Sequence, residues 1–160
     1  GQSQVVKEKT GAPVLLHKGD SFLYDALPEQ GMFFGESILA PPPCDSWIED
    51  NEEFAILLPN SDSTIDSSKL TNIISAIHTP GHTPGSCSFY TNLLESPTLF
   101  SGDTLFLNSI GRTDLPGGDY NAIIKSIKNR LLLLPEETTC IPGHGPTTYL
   151  YHEKKNNPYL

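Results

Sequence analysis

The chain has 160 residues, 37% hydrophobic and 18% charged, with 19 acidic against 10 basic side chains and a formal net charge of -9. That length suits one domain with a real core and is short for two large ones, and the composition is that of a folded globular protein rather than a disordered acidic segment. The negative field, unrelieved by any Lys/Arg cluster, argues against nucleic acid as a partner, and the absence of an apolar run of roughly 18 residues argues against a membrane span.

The chain opens on Gly1 and runs straight into a helix-like stretch, so the expectation is that a start has been removed. "SQVVKEKTG" reads as a short helix stopped by Gly11, and Pro13 to His17 as a buried strand. "DSFLYDAL", with Asp20 as cap, reads as another helical turn. The following "PEQGMFFGESILAPPPCDS" is expected to be a loop, because its triple proline forbids regular structure. "NSDSTIDSSK" (Asn60 to Lys69) is polar and Ser-rich and is expected to be an exposed insertion without assigned function. Asn72–His78, Ser86–Thr91 and Pro97–Asp103 are short, β-rich and punctuated by Gly, Pro and Asn, as successive strands are. Tyr120, Ile123, Ile124, Ile127, Leu131 and Leu134 recur at helical spacing, which predicts a helix over 120–134 with Asp119 as N-cap and Pro135 as the stop. "TTCIPGHG" reads as one more strand running into a Gly-rich loop, and "TTYLYHEKK" as a last helix. Strands mixed with helices and no repeat period predict a single α/β sandwich domain over residues 1–160. Cys44, Cys87 and Cys140 form no C-x-x-C unit and read as reduced, buried thiols of a cytoplasmic protein.

Three places share one design: a strand ends, Gly or Pro removes backbone bulk, and a metal-ligand side chain stands at the turn. They are His82 in "HTPGHTPGS", Asp103 in "LFSGDTLF" and His144 in "IPGHGP". Ligands at strand ends have rigid backbone on one side and an open rim on the other, and imidazole with carboxylate suits zinc, manganese or iron better than copper. Gly81, Gly85, Gly102, Gly143 and Gly145 let main chain pass close to an ion, while Pro80, Pro84, Pro142 and Pro146 stiffen the same loops. Taken singly, each of the three is a weak signal, and His17, His78 and His152 are assigned structural roles. His78 lies four residues before His82, but Pro80 and Gly81 exclude the helix that would put both on one face, so a structural hydrogen bond is expected of it.

In combination and in this order, "HTPGHTPGS", "LFSGDTLF", "GRTDLPGGD", "IPGHGPTT" and the closing "NPYL" resemble the second half of a metallo-β-lactamase-fold hydrolase of the small, single-domain glyoxalase II-like branch. The resemblance is strongest from His78 to Leu160 and fades across residues 28 to 72. It implies an αββα sandwich, incomplete at the N-terminus, in which His82 binds a first metal, Asp103 bridges two metals and is the catalytic carboxylate, and His144 binds the second. It further implies two zinc ions, with iron or manganese as possible replacements, a metal-held hydroxide as nucleophile, and hydrolysis of a small-molecule thioester. The family's remaining ligands come from an H-x-H-x-D-H motif just before the helix that opens this chain. The expectation is therefore that the 160 residues are the C-terminal portion of the complete fold, and that the activity belongs to an intact parent.

Arg112 and Asp114 sit in "GRTDLPGG", where the arginine could hold a substrate carboxylate, brace the site through Asp114, or form only a local pair. Neither is assigned a catalytic role. The resemblance leaves two other readings beside thioester hydrolysis: a mononuclear-iron sulfur dioxygenase of the same fold, and a non-catalytic fragment. A β-lactamase is disfavoured because nothing specific to antibiotic binding is visible, and nuclease members of the fold by the acidic balance.

Overall fold

Runs of apolar and β-branched residues broken by Gly, Pro and Asn supply the strands, and the spacing of isoleucines after Asp119 supplies the helix that packs on them. The computed structural model describes residues 3–33, 35, 39–55 and 73–160. The Ser-rich stretch Asn60–Lys69 lies outside the described residues. Contacts divide the chain into two compact units, Gly1–Ile48 and Glu49–Leu160.

The first unit contains helices α1 (Ser3–Thr10), α2 (Ser21–Asp25) and α3 (Leu27–Phe33) and two parallel strands, β1 (Leu15–His17) and β2 (Ser46–Ile48). Helix α1 ends where expected, at Gly11. Asp45 accepts hydrogen bonds from Lys7 Nζ and, at 2.7 Å, from the Val14 amide, joining α1 to the approach of β1. Helix α3 corrects the sequence reading, which made the whole stretch from Pro28 a loop. Pro28 falls in the first turn, where a missing N–H costs nothing and a fixed φ favours the helix. The triple proline Pro41–Pro43 acts only later, in irregular backbone.

In the second unit the chain runs through β3 (Glu53–Ala55), β4 (Ile73–His78), β5 (Cys87–Thr91), β6 (Thr98–Gly102), β7 (Leu105–Phe106) and β8 (Ser109–Ile110). Helix α4 (Tyr120–Asn129), strands β9 (Thr139–Pro142) and β10 (Thr148–Tyr149), and helix α5 (Leu150–Asn156) follow. Among the described residues, six strands form one sheet in the order β10-β9-β6-β5-β4-β3, antiparallel throughout except for the parallel pair β6–β9. A parallel pair needs a long crossover, and the β7–β8 hairpin and α4 supply it. Because β4, β5 and β6 alternate in direction and β9 follows β6, the chain leaves β4, β6 and β9 at the same rim of the sheet. Those are the three strands followed by His82, Asp103 and His144.

Asp119 caps α4 by accepting from the Ala122 amide at 2.9 Å. The helix is shorter than predicted: it ends at Asn129, and Leu131–Leu133 form one 3-10 turn before Pro135. Its buried Ile123 and Ile127 join Ile77, Leu99, Leu105, Leu131, Cys140 and Leu150 in one core, where each fully buried Leu or Ile contributes about 2 kcal/mol of transfer free energy. The predicted last helix, read from Thr147, begins three residues late, because Thr148 and Tyr149 pair with β9 before α5 starts at Leu150. The α/β class predicted from sequence is the one observed. Among the described residues no helix is long and apolar enough to cross a membrane.

Candidate metal centre

The loop after β4 is fastened to α4. Gly81 has φ +139, and a Cβ there would come within 2.3 Å of the Ile123 amide nitrogen, so only glycine lets the helix lie directly on the loop. The Asp119 amide donates to Gly81 O at 2.8 Å, and Ser126 Oγ donates to Pro80 O at 2.8 Å. Within the loop, Thr83 and Ser86 hydroxyls lie 2.7 Å apart, and His78 Nε2 meets Pro84 O at 2.8 Å. His78 thus has the structural role expected of it. Beneath the loop, Thr79 Oγ1 lies 3.1 Å from Ser88 Oγ and 3.2 Å from Thr104 Oγ1. These buried hydroxyls tie the His82 loop to the turn carrying Asp103.

The structure brings the three predicted side chains together. Asp103 Oδ2 lies 3.8 Å from His82 Nε2, and Asp103 Oδ1 lies 3.5 Å from His144 Nε2. One carboxylate therefore faces a different imidazole with each of its oxygens. Among the described residues no group of three or more His, Cys, Asp or Glu side chains is placed to hold a metal ion. His82 Nδ1 is 2.8 Å from Arg112 O. A carbonyl can only accept, so Nδ1 carries a proton and Nε2 is the nitrogen turned toward Asp103. His82 is well covered, at 19% side-chain exposure, whereas His144 is 75% exposed at the rim. What fixes His144 is Phe106, whose ring stacks on the imidazole with centroids 4.6 Å apart and planes 23° from parallel.

Gly143 explains the position of the carboxylate. A Cβ on Gly143 would stand 2.6 Å from Asp103 Oδ1, so the glycine keeps open the space that the oxygen occupies.

A cavity of about 590 Å³ opens over the three residues, walled on its apolar side by Phe106, Leu107, Ile110, Leu115 and Pro146. Arg112 also lines it, but its guanidinium makes two 2.7 Å hydrogen bonds to Asp114, both groups being exposed. Those bonds hold the Asp114 carboxyl down at about 2 and raise the pKa of Arg112. The sequence reading missed that Arg112 reaches the site through its backbone carbonyl. It also missed the apolar wall, since β7 and β8 have two residues each and too few positions to show alternation. His152 lies outside this group, its Nε2 meeting Asn108 Oδ1 at 2.9 Å, and in the first unit His17 Nδ1 accepts from the Gly19 amide.

Comparison with known proteins places the geometry in context. The model of the metallo-beta-lactamase superfamily matches residues 1–144. Hydroxyacylglutathione hydrolase GloC of Haemophilus influenzae is 36% identical over 162 residues, covering 100% of this chain and 69% of that protein. The solved structure of TTHA1623 in a di-iron-bound form superposes with a TM-score of 0.78 at 36% identity, covering 100% of this chain and 71% of the other. BLEG-1 B3 metallo-beta-lactamase superposes with a TM-score of 0.77, also at 36% identity, covering 98% of this chain and 68% of the other.

Proposed function

We propose, for a chain that belongs to the metallo-beta-lactamase superfamily, that the cleft around Asp103 is the active site of a metal-dependent hydrolase acting on a small-molecule thioester. The observation that carries the reading is the Asp103 carboxylate, with His82 at 3.8 Å from one oxygen and His144 at 3.5 Å from the other. Both gaps exceed an ordinary hydrogen bond, so each pair of donors is close enough to share a cation without being bonded to each other. The space that Gly143 leaves beside Oδ1 fits the same purpose. On this reading His82 and Asp103 would hold one ion, and His144 with the same carboxylate would hold a second. The described residues would give each position two donors. Imidazole and carboxylate are donors for zinc, iron and manganese alike, and zinc is our assignment.

A divalent pair so held supplies Lewis acidity toward a carbonyl and activation of water at neutral pH. The chain's own residues do the positioning. The Arg112 carbonyl fixes the tautomer and ring plane of His82, Phe106 braces the exposed His144, and Asp103 sets the spacing between the two imidazoles. Phe106, Leu107, Ile110 and Leu115 exclude water from one side of the cleft, where the carbon chain of an acyl group or its thiol carrier would lie. Asp114 occupies the Arg112 guanidinium, so a substrate carboxylate would have to share it. The net charge of -9 gives an anionic substrate no long-range steering. The thioester assignment is supported by likeness to the hydroxyacylglutathione hydrolase of Haemophilus influenzae, and a cytoplasmic setting accompanies it.

The test replaces Asp103 by alanine and follows thiol release from a hydroxyacyl thioester of glutathione together with bound metal. Cleavage should fall by more than about a hundredfold and metal content should drop with it. Full retention of both in Asp103→Ala refutes the shared-carboxylate role. The wild type is assayed in parallel on a β-lactam, because a solved relative at 36% identity carries that activity in its name. Faster opening of the lactam than of the thioester would reassign the substrate, and bound iron with oxygen uptake would favour a dioxygenase.

A further inference from the structure

The apolar wall of the cleft is carried by a short hairpin whose base is anchored in the core by the fully buried Leu105. Strands β7 and β8 pair only through Leu105 with Ile110 and Phe106 with Ser109, and a hairpin that short has no independent stability. Its turn also contains Asn108 in the left-handed region, at φ 54. At its base, Leu105 O accepts a 2.7 Å hydrogen bond from the buried Ser101 hydroxyl. At its tip, the support comes from α5 and the residue that follows it.

Glu153 is fully buried, and its carboxyl is saturated by the surroundings of that tip. Oε2 accepts from the Asn108 amide at 2.9 Å and from Asn157 Nδ2 at 2.8 Å, while Oε1 accepts from Thr148 Oγ1 at 2.6 Å. Asn157 Nδ2 also donates to Ser109 O at 3.1 Å, and it is 5% exposed. A buried carboxyl is costly unless every bond is made, and an apolar side chain would fill the same space at less cost. What an apolar residue cannot do is fix the Asn108 amide and, through Asn157, the Ser109 carbonyl. Those two groups lie between Leu107 and Ile110, two of the apolar residues that line the cavity.

We propose that Glu153 and Asn157 are positioning residues of the cleft: from α5 and its C-terminal end they hold the β7–β8 hairpin as a fixed apolar wall that receives the carbon chain of the substrate. The proposal rests on the reading of the cleft as a hydrolase site and adds to it the residues that determine how tightly an apolar acyl or thiol group is held. Gln at position 153 can make the same three contacts: its carbonyl oxygen takes the place of Oε2, and its amide donates to Thr148 Oγ1. Alanine can make none.

Amide hydrogen exchange at Asn108 is compared in the wild type, Glu153→Ala, Glu153→Gln and Asn157→Ala. Exchange should be at least about tenfold faster in Glu153→Ala and return close to wild type in Glu153→Gln. In parallel, phenylacetate is titrated onto the zinc-loaded protein and followed at the methyl groups of Leu107 and Ile110. Its affinity should fall about tenfold in both alanine variants with zinc content unchanged, and KM for an aromatic acyl thioester should rise with little change in kcat. Should Glu153→Ala fail to fold, Asn157→Ala carries the comparison. Faster exchange with unaltered phenylacetate affinity would leave Glu153 a structural role only and overturn the proposal, as would a wild type whose Leu107 and Ile110 methyls do not respond to phenylacetate. A protein that binds phenylacetate against the hairpin but cleaves no thioester would refute the substrate reading and support the clamp.

Discussion

Gly143→Ala separates the architecture of the site from the stability of the fold. The added methyl would sit 2.6 Å from Asp103 Oδ1, with the other near atoms at 3.4 Å or beyond. An ordinary C···O approach is about 3.3 Å, so the carboxylate oxygen must retreat by about 0.7 Å. It can do so cheaply, because Asp103 is a short, partly exposed side chain with room to rotate, and Gly143 does not use a left-handed backbone. The folded metal-free protein should therefore change by no more than about 1 kcal/mol, partly offset by the lower entropy of the unfolded alanine chain. Metal sites tolerate ligand displacements of only about 0.2 Å, and disturbing a ligand's orientation costs about 10- to 100-fold in affinity, or about 1.4–2.8 kcal/mol. Competition against a chromophoric chelator measures that loss, and thermal melting without metal measures the fold. Unchanged metal affinity, or a metal-free melting temperature lowered by more than about 10 °C, would refute the reasoning.

Gly81→Ala should do the opposite: its φ of +139 and the 2.3 Å approach to the Ile123 amide set a new methyl against helix backbone that cannot step aside. Overpacking and backbone strain together predict a loss of about 3 kcal/mol or more in urea unfolding, and a variant as stable as wild type would contradict the close packing of α4 on this loop. Asp50 gives a pH signature. Burial tends to raise its pKa, but hydrogen bonds from Arg130 and from the His78 amide outweigh burial and hold it below the ordinary 3.8. Its contribution is thus present above pH about 4 and lost as pH falls through the depressed pKa, so Asp50→Asn should cost about 1 kcal/mol at pH 7 and progressively less below pH 4. A stability gap that stays constant from pH 7 to pH 3 in urea melts would show that the pair contributes nothing through ionisation.

The parts of the molecule legible in the sequence are those where local chemistry and tertiary packing agree. Ile123 and Ile127 mark the buried face of α4, Asp119 marks its start, and strands β4, β5 and β6 fall where Gly and Pro punctuate apolar runs. His82, Asp103 and His144 were singled out because each stands at a strand end beside glycine, and the structure brings the three side chains near one another. Helix α3 was missed because the whole stretch from Pro28 was read as a loop on account of its triple proline, although Pro41–Pro43 come after the helix and a proline in the first turn does not break one. The β7–β8 hairpin was invisible because two-residue strands carry no period, and its support by Glu153 joins residues 45 positions apart. The role of the Arg112 carbonyl could not be read at all, since every residue has one and only the fold decides which carbonyl meets an imidazole.

The common direction of β4, β6 and β9 has a practical corollary for handling the molecule. The turn from Asn92 to Pro97 and the segment from Pro135 to Thr138 lie at the far end of the sheet, where Ser96 and Thr139 hydroxyls meet at 3.3 Å. A tether, dye or immobilisation tag attached to that turn would leave the cleft facing outward, because strand polarity has already put the two ends of the sheet to separate uses.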